Sequence, residues 1–168
     1  MQLIVAVDSR WGIGKNNGLL FSLKEDMKYF KEKTTGNVVC MGYNTLLSFP
    51  NSKPLKNRVN ITLCPQEVER QDLICVHSLK DLFTELKKYD SEKIFVIGGA
   101  TFYKTMLDYC EYAYITKVLA DGQAEVFFEN LDKRSNWELI EEGKEIQDGD
   151  YKIKFCKYKN KAVKRFTE

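Results

Sequence analysis

The sequence predicts a single α/β domain with a central, mostly parallel (mixed) sheet, flanking helices and an antiparallel C-terminal edge. Three observations carry this. The runs LIVAV (3–7), NVVCMG (37–42) and KIFVIGG (93–99) are continuous and apolar, as strands covered on both faces must be. Segments of helical periodicity separate them. The last third, from YAYITKV (112–118) through WELIEEG (137–143) to YKIKFCKY (151–158), alternates in period two and reads as antiparallel strands. A chain of 168 residues fits one domain with one substantial core. We place that domain at 1–160 and a basic, frayed tail at 161–168.

The elements follow in order. After LIVAV comes GIGKNNG (12–18). It lacks the Lys-Ser/Thr ending of a Walker motif and the spacing of a Rossmann fingerprint, so it reads as a mobile loop able to cover a site. SLKEDMKYFKEK (22–33) has the pattern of a short amphipathic helix, with Ser22 as its cap and Glu25 completing a capping box. Leu23, Met27 and Phe30 form its apolar face, and Asp26 lies about 60° from Leu23, at the edge of that face. Such a carboxylate either leans into solvent, favoured by the helix dipole by about 0.3–1 kcal/mol, or points into an apolar cleft where a ligand must be its partner. The residue pattern alone allows both.

NTLLSF (44–49) is a short helix and SKPLKNR (52–58) a loop, and VNITLC (59–64) and LICV (73–76) are strands. SLKDLFTELKKY (78–89) is a helix capped by Ser78, with Asp81 at the capping-box position. KIFVIGG ends in Gly98-Gly99 and leads into the helix TFYKTMLDY (101–109). Paired glycines there either serve a tight turn or let a phosphate approach the backbone. In sheets of this class ligands bind beyond the carboxyl ends of the parallel strands, which puts Ala6, Met41-Gly42 and Gly98-Gly99 at the candidate site.

Composition narrows the function. Hydrophobic residues make up 43% and charged residues 30% of the chain, as in ordinary soluble proteins. A net charge of +2 argues against nucleic acid as a partner. The C-terminal lysines fit the exposed face of an edge strand. Five cysteines, odd in number and without metal-like spacing, read as reduced structural thiols of a cytoplasmic protein. One histidine, His77, makes a metal site or a Ser-His triad a poor expectation. The five apolar residues near the N-terminus are too few for a signal peptide or membrane span.

Taken together, IVAVDSRWGIGKNNGLLFSLKEDMKYFKEKT, VVCMGYNTLLSF, KPLKNRVNITL, IFVIGGATFY and AYITKV resemble the dihydrofolate reductases, in order and spacing, over residues 3–118. The resemblance implies that family's fold and NADPH-dependent reduction of 7,8-dihydrofolate to tetrahydrofolate, with hydride to C6 and a proton to N5. That reaction supplies one-carbon chemistry for thymidylate, purine and amino-acid synthesis. It also implies binding of diaminopyrimidine or pteridine antifolates, a monomeric state, and no metal.

Roles carry over by position. Asp26 would hydrogen-bond the pterin 2-amino group and N3, with Thr116 bonded to Asp26 and Phe21 beside the reaction. Met27 and Phe30 would wall the rings, Ile4 and Ile97 offer carbonyls, and Val5 and Ala6 line the pocket. Leu55 would touch the benzoyl ring and Arg58 pair with the glutamate carboxylate. For the cofactor, Ala6, Ile13, Gly14, Asn17, Leu19, Ile97 and Tyr103 match positions around the nicotinamide and its covering loop. Gly42, Asn44, Thr45, Gly98, Gly99, Ala100, Thr101 and Phe102 match those at the pyrophosphate. Tyr43, Leu63, Cys64, Pro65 and His77 match those near the adenosine.

The chain departs from the family pattern at Phe21, where an indole is common, at Tyr43 for an arginine, and at Cys64-Pro65 for hydroxylic residues. Glu125-Val126 stands for a frequent Asp-Thr pair. Two rivals share the fold: a pyrimidine reductase of riboflavin synthesis, disfavoured by the Leu-x-x-Asp-Met-x-x-Phe helix, and a nucleotide-binding relative without turnover.

Overall fold

In the computed structural model, which describes residues 1–16 and 18–166, β1 (Gln2–Val7) runs through the middle of a nine-stranded sheet. The other strands are β3 (Val38–Gly42), β4 (Val59–Leu63), β5 (Ile74–Val76), β6 (Ile94–Val96), β7 (Tyr112–Val118), β9 (Trp137–Glu142), β10 (Ile146–Asp148) and β11 (Tyr151–Asn160). Their order is β10-β11-β7-β1-β6-β3-β4-β5, with β9 also paired to β11. Four helices, α1 (Lys24–Thr34), α2 (Tyr43–Ser48), α3 (Leu79–Leu86) and α4 (Ala100–Met106), cover the sheet.

Strand periodicity divides the core in two. Leu3, Val38, Cys40, Ile94 and Val96 face one side, where they pack with Leu82 and Leu86 of α3 and with Phe102 and Met106 of α4. Their chain neighbours Ile4, Val39, Met41, Phe95 and Ile97 face the other, against Leu46 of α2 and Tyr29 and Phe30 of α1. Successive side chains of a strand point to opposite faces, so each apolar run serves both layers.

Three expectations are corrected. YAYITKV is antiparallel on one side only: β7 lies antiparallel to β11 but parallel to β1, in the register Ala6↔Thr116, because the helical connection through α4 returns the chain in the same direction. The lysine-rich strand is not an edge. β11 pairs with β7 on one side and with β9 and β10 on the other, the two short strands dividing its length. The glycine-rich loop forms part of a separate ladder, in which β2 (Gly12–Gly14) pairs with β8 (Val126–Phe127). Strands this short have no periodicity to detect.

All five cysteines are free, and Cys64 Sγ lies 3.5 Å from Cys75 Sγ. No helix among the described residues is long and apolar enough to cross a membrane. No group of three or more His, Cys, Asp or Glu among them is placed to hold a metal ion.

Candidate active site

Helix α1 begins differently from the expected pattern. Ser22 is exposed and caps nothing, and the residue at the cap position, Leu23, has no side-chain acceptor. The backbone N–H groups of Lys24, Glu25 and Asp26 donate instead to the carboxylate of Asp148, at 3.0, 2.9 and 3.2 Å. This satisfies donors that a helix start otherwise leaves open. Sequence reasoning missed Asp148 because the pair is separated by more than a hundred residues and no local spacing encodes it.

On this fixed turn Asp26 is half-buried, and Thr116 Oγ1 of β7 donates to its Oδ1 at 2.6 Å. Burial pushes the carboxyl above the usual carboxylate range, the Thr116 hydroxyl opposes this, and the negative charge of Asp148 adds to the rise. No cationic side chain among the described residues pairs with it. Asp26 and Met27 line a cavity of about 300 Å³ with the segment 19–23, which includes Phe21. Leu23 is buried, Phe30 packs beneath α1, and Met27 is 66% exposed at the mouth. The Phe21 ring meets Tyr151 edge-on at 4.7 Å.

The floor consists of strand ends. Ala6 is paired with Thr116, and Val5 with Ile115. The buried Tyr103 hydroxyl donates to Ile4 O at 2.8 Å, so that carbonyl already has one donor. Gly42 N donates to Gly98 O at 2.9 Å and joins two strand ends. The Gly98–Gly99 peptide is cis, and Gly98 has φ +134°, a shape open to glycine. A Cβ on Gly98 or Gly99 would come within 3.3 or 3.2 Å of Thr45 Oγ1. Ile97, Ala100, Phe102 and the exposed Thr101 flank this cradle. Ile13 and Gly14 lie on β2, and Leu19 is 86% exposed at the cavity rim. Asn17, also expected here, lies outside the described residues.

Farther along α1, Arg58 donates from Nε to Thr34 Oγ1 at 3.0 Å and from Nη1 to Lys56 O at 2.9 Å. Its guanidinium lies 5.9 Å from the Phe30 ring centre, and burial lowers its proton affinity. Leu55 is partly buried beside it, its N–H held by Asn60 Oδ1 at 2.9 Å. At the opposite end stand Tyr43, Asn44, Leu63, Cys64, Pro65 and His77. His77 is not a free cation: Nε2 lies 2.8 Å from Glu69 Oε1, and Nδ1 is 3.0 Å from Pro65 O. The bond to Glu69 raises its pKa.

A second unforeseen residue is Asp8. Its buried carboxylate accepts from Arg10 N, Gly12 N and Gly122 N at 2.9, 2.7 and 3.0 Å, tying the β1–β2 turn to the 120–124 loop. An Asp-Ser pair directly after a strand is a turn signal that could have found it.

The family model described as "Dihydrofolate reductase" matches residues 1–160. The chain belongs to the dihydrofolate reductase family. It is 34% identical over 164 residues to the dihydrofolate reductase of Bacillus subtilis, covering 96% of this chain and 95% of that one. With the enzyme of Buchnera aphidicola subsp. Schizaphis graminum it shares 33% identity over 156 residues, covering 93% and 95%. A solved dihydrofolate reductase from Enterococcus faecalis, complexed with NADP(H) and RAB-propyl, is similar in structure. The TM-score is 0.82, at 27% identity and 95% coverage of each chain.

As a dihydrofolate reductase the chain is an NADPH-dependent oxidoreductase that reduces dihydrofolate to tetrahydrofolate. Its residues fit that cofactor. The glycine cradle leaves space between the backbone and the Thr45 hydroxyl that any larger residue would fill, and both pieces lie at adjacent strand ends.

Proposed function

We propose that Asp26 is the group on which reduction depends, binding the pterin through its 2-amino group and N3. The supporting observation is its setting: a half-buried carboxylate, held by Thr116, without a cation, on the wall of the cavity. Two parallel N–H donors satisfy such an anion selectively. Its charge stabilises the N5-protonated form of the substrate, which makes C6 a better hydride acceptor. NADPH, when bound, supplies the hydride.

The remaining residues position and exclude. Met27, Phe30 and Phe21 wall the ring and keep water out, with Val5, Ala6 and the carbonyls of Ile4 and Ile97 below it. Leu55 meets the benzoyl group, and Arg58 takes the glutamate carboxylate in a charge-assisted pair. Ala6, Ile13, Gly14, Leu19 and Tyr103 surround the nicotinamide. Gly42, Asn44, Thr45 and Gly98 to Phe102 hold the pyrophosphate, with Tyr43, Leu63, Cys64, Pro65 and His77 toward the adenosine. Diaminopyrimidine and pteridine antifolates offer Asp26 the same pair of donors.

We read the enzyme as a cytoplasmic monomer. The proposed site lies within one chain, and five free thiols suit a reducing compartment. Sedimentation velocity tests the oligomeric state. The reaction is tested by following NADPH oxidation with dihydrofolate as acceptor. Rapid, dihydrofolate-dependent oxidation is expected. Its absence, with NADPH bound, would identify the chain as a nucleotide-binding relative without turnover.

A further inference from the structure

Asp148 ends β10 and pairs with Tyr151 across a two-residue turn whose first residue, Gly149, has φ +61°. This hairpin presents the Asp148 side chain to α1 from the far end of the sheet, and α1 packs on β10. Asp148 is only 4% exposed, and no cation among the described residues pairs with it. Burying an anion is costly unless it is well bonded. Its partners are the three N–H groups of the α1 first turn, including that of Asp26 itself.

We propose that Asp148 is a positioning residue for the reaction, clamping the turn that carries Asp26 and holding a fixed negative charge beside its carboxylate. The proposal rests on the assignment of Asp26 as the substrate-binding group. Two effects follow from the geometry. The clamp removes the fraying expected of a first turn without a local cap, so the Asp26 side chain leaves the backbone from one place. The positive end of the helix is also engaged by Asp148. A helix start ordinarily stabilises a nearby carboxylate, and here that stabilisation is taken up before it can act on Asp26.

The groups whose charge interacts with Asp26 are few. Asp148 approaches from β10, Tyr103 from α4 and Tyr29 from α1 itself. β7 contributes the neutral Thr116 hydroxyl, and the segment 19–23 holds no titratable side chain. Both tyrosines are pushed further from ionisation by burial, so they stay neutral where Asp26 titrates. Asp148 is therefore the one neighbour among them whose charge bears on the Asp26 carboxyl, and it raises its proton affinity.

The test is Asp148→Asn, which keeps the size and one acceptor but loses the charge. With aspartate labelled in the carboxyl carbon, NMR follows the titration of Asp26 in the ligand-free protein, Asp26→Asn assigning the signal. The midpoint is expected at lower pH in Asp148→Asn than in the wild type. The acid fall of kcat/KM, where protonation removes the Asp26 charge, should move down with it, while NADPH affinity stays within about twofold. Asp148→Ser, a smaller neutral cap, gives the same measurement should the first variant fold poorly. An Asp26 midpoint unchanged in the neutral variants would overturn the proposal. The titration requires no substrate, so it is separable from the assignment of Asp26, which would fail instead through normal turnover by Asp26→Asn.

Discussion

At the α1 end of the cleft, Asp26 and Arg58 have no oppositely charged side chain as partner among the described residues. At the other end His77 is bonded to Glu69, and Arg70 lies in a two-point pair with Asp72. Both ends are proposed to take anionic or hydrogen-bonding parts of ligands, yet only one keeps its charges uncommitted. An unpaired, partly buried charge is costly in the free protein and is recovered on binding, which makes it selective. A charge already paired at the surface contributes little and must exchange partners to bind. The contrast assigns substrate recognition to fixed single charges. On the proposed reading, cofactor recognition rests mainly on shape, through the Gly98-Gly99 cradle and Thr45.

The largest effect should come from Asp26→Asn. Losing a charge-assisted pair of hydrogen bonds in the transition state should lower turnover of dihydrofolate roughly hundredfold to several-thousandfold at neutral pH. The fold and NADPH affinity should be retained. Steady-state kinetics with a fluorescence titration of NADPH checks both. Turnover near the wild-type rate would remove the basis of the comparison.

Arg58→Ala should act next, and through binding. Its proposed partner is remote from the reacting ring, so KM should rise by about 10- to 100-fold while kcat changes little. Folate and a pterin lacking the glutamate separate the contributions. If their relative affinity is the same before and after the substitution, Arg58 is only a brace for Thr34 and the Lys56 carbonyl.

What was legible in the sequence follows the range of the physics. Buried strands announced themselves because Leu3-Ile4, Val38 to Met41 and Ile94 to Ile97 must be apolar toward two layers at once. Ser78 was readable as the cap of α3, and its hydroxyl does accept from Asp81 N at 3.1 Å, because donor and acceptor are three residues apart. The same reasoning failed at Ser22, where the acceptor comes from Asp148. Strand direction is equally non-local: nothing within YAYITKV states that its neighbour is β1. The Asp26–Thr116 contact was expected from a family resemblance, whereas periodicity alone placed Asp26 only at the edge of a helix face. His77 was assigned by position, and Glu69, eight residues earlier, was invisible as its partner.

The adenosine end supplies a smaller effect. When His77 is protonated, the pair with Glu69 is neutral overall. As pH rises through the raised pKa of His77 the pair becomes negative and repels a 2′-phosphate. The preference for NADPH over NADH should therefore shrink with rising pH, around a midpoint above that of an ordinary histidine. Glu69→Gln should widen the preference by a few-fold and move the midpoint down, since Glu69 is the main cause of the raised value. The ratio of kcat/KM for the two cofactors, followed from about pH 6 to 8.5, reads both. A ratio flat with pH in wild type and variant would place 2′-phosphate recognition on other residues.

The smallest expected effect returns to Asp26 and concerns stability. Burial holds its folded pKa above the unfolded value, so the native state binds this proton more tightly. The group's contribution is then full below the ordinary carboxylate range and is lost as pH rises toward the raised value. Asparagine resembles the protonated carboxyl and can still accept from Thr116 through its amide oxygen. Asp26→Asn should thus melt like the wild type near pH 3 and a few degrees higher at neutral pH, each kcal/mol being worth about 2–4 °C in a chain of this size. Calorimetry across that range measures the difference. An Asn variant less stable than wild type at neutral pH would mean that the ionised carboxylate is well bonded in the free protein. The α1 end would then resemble the His77 end, with its charge already spent.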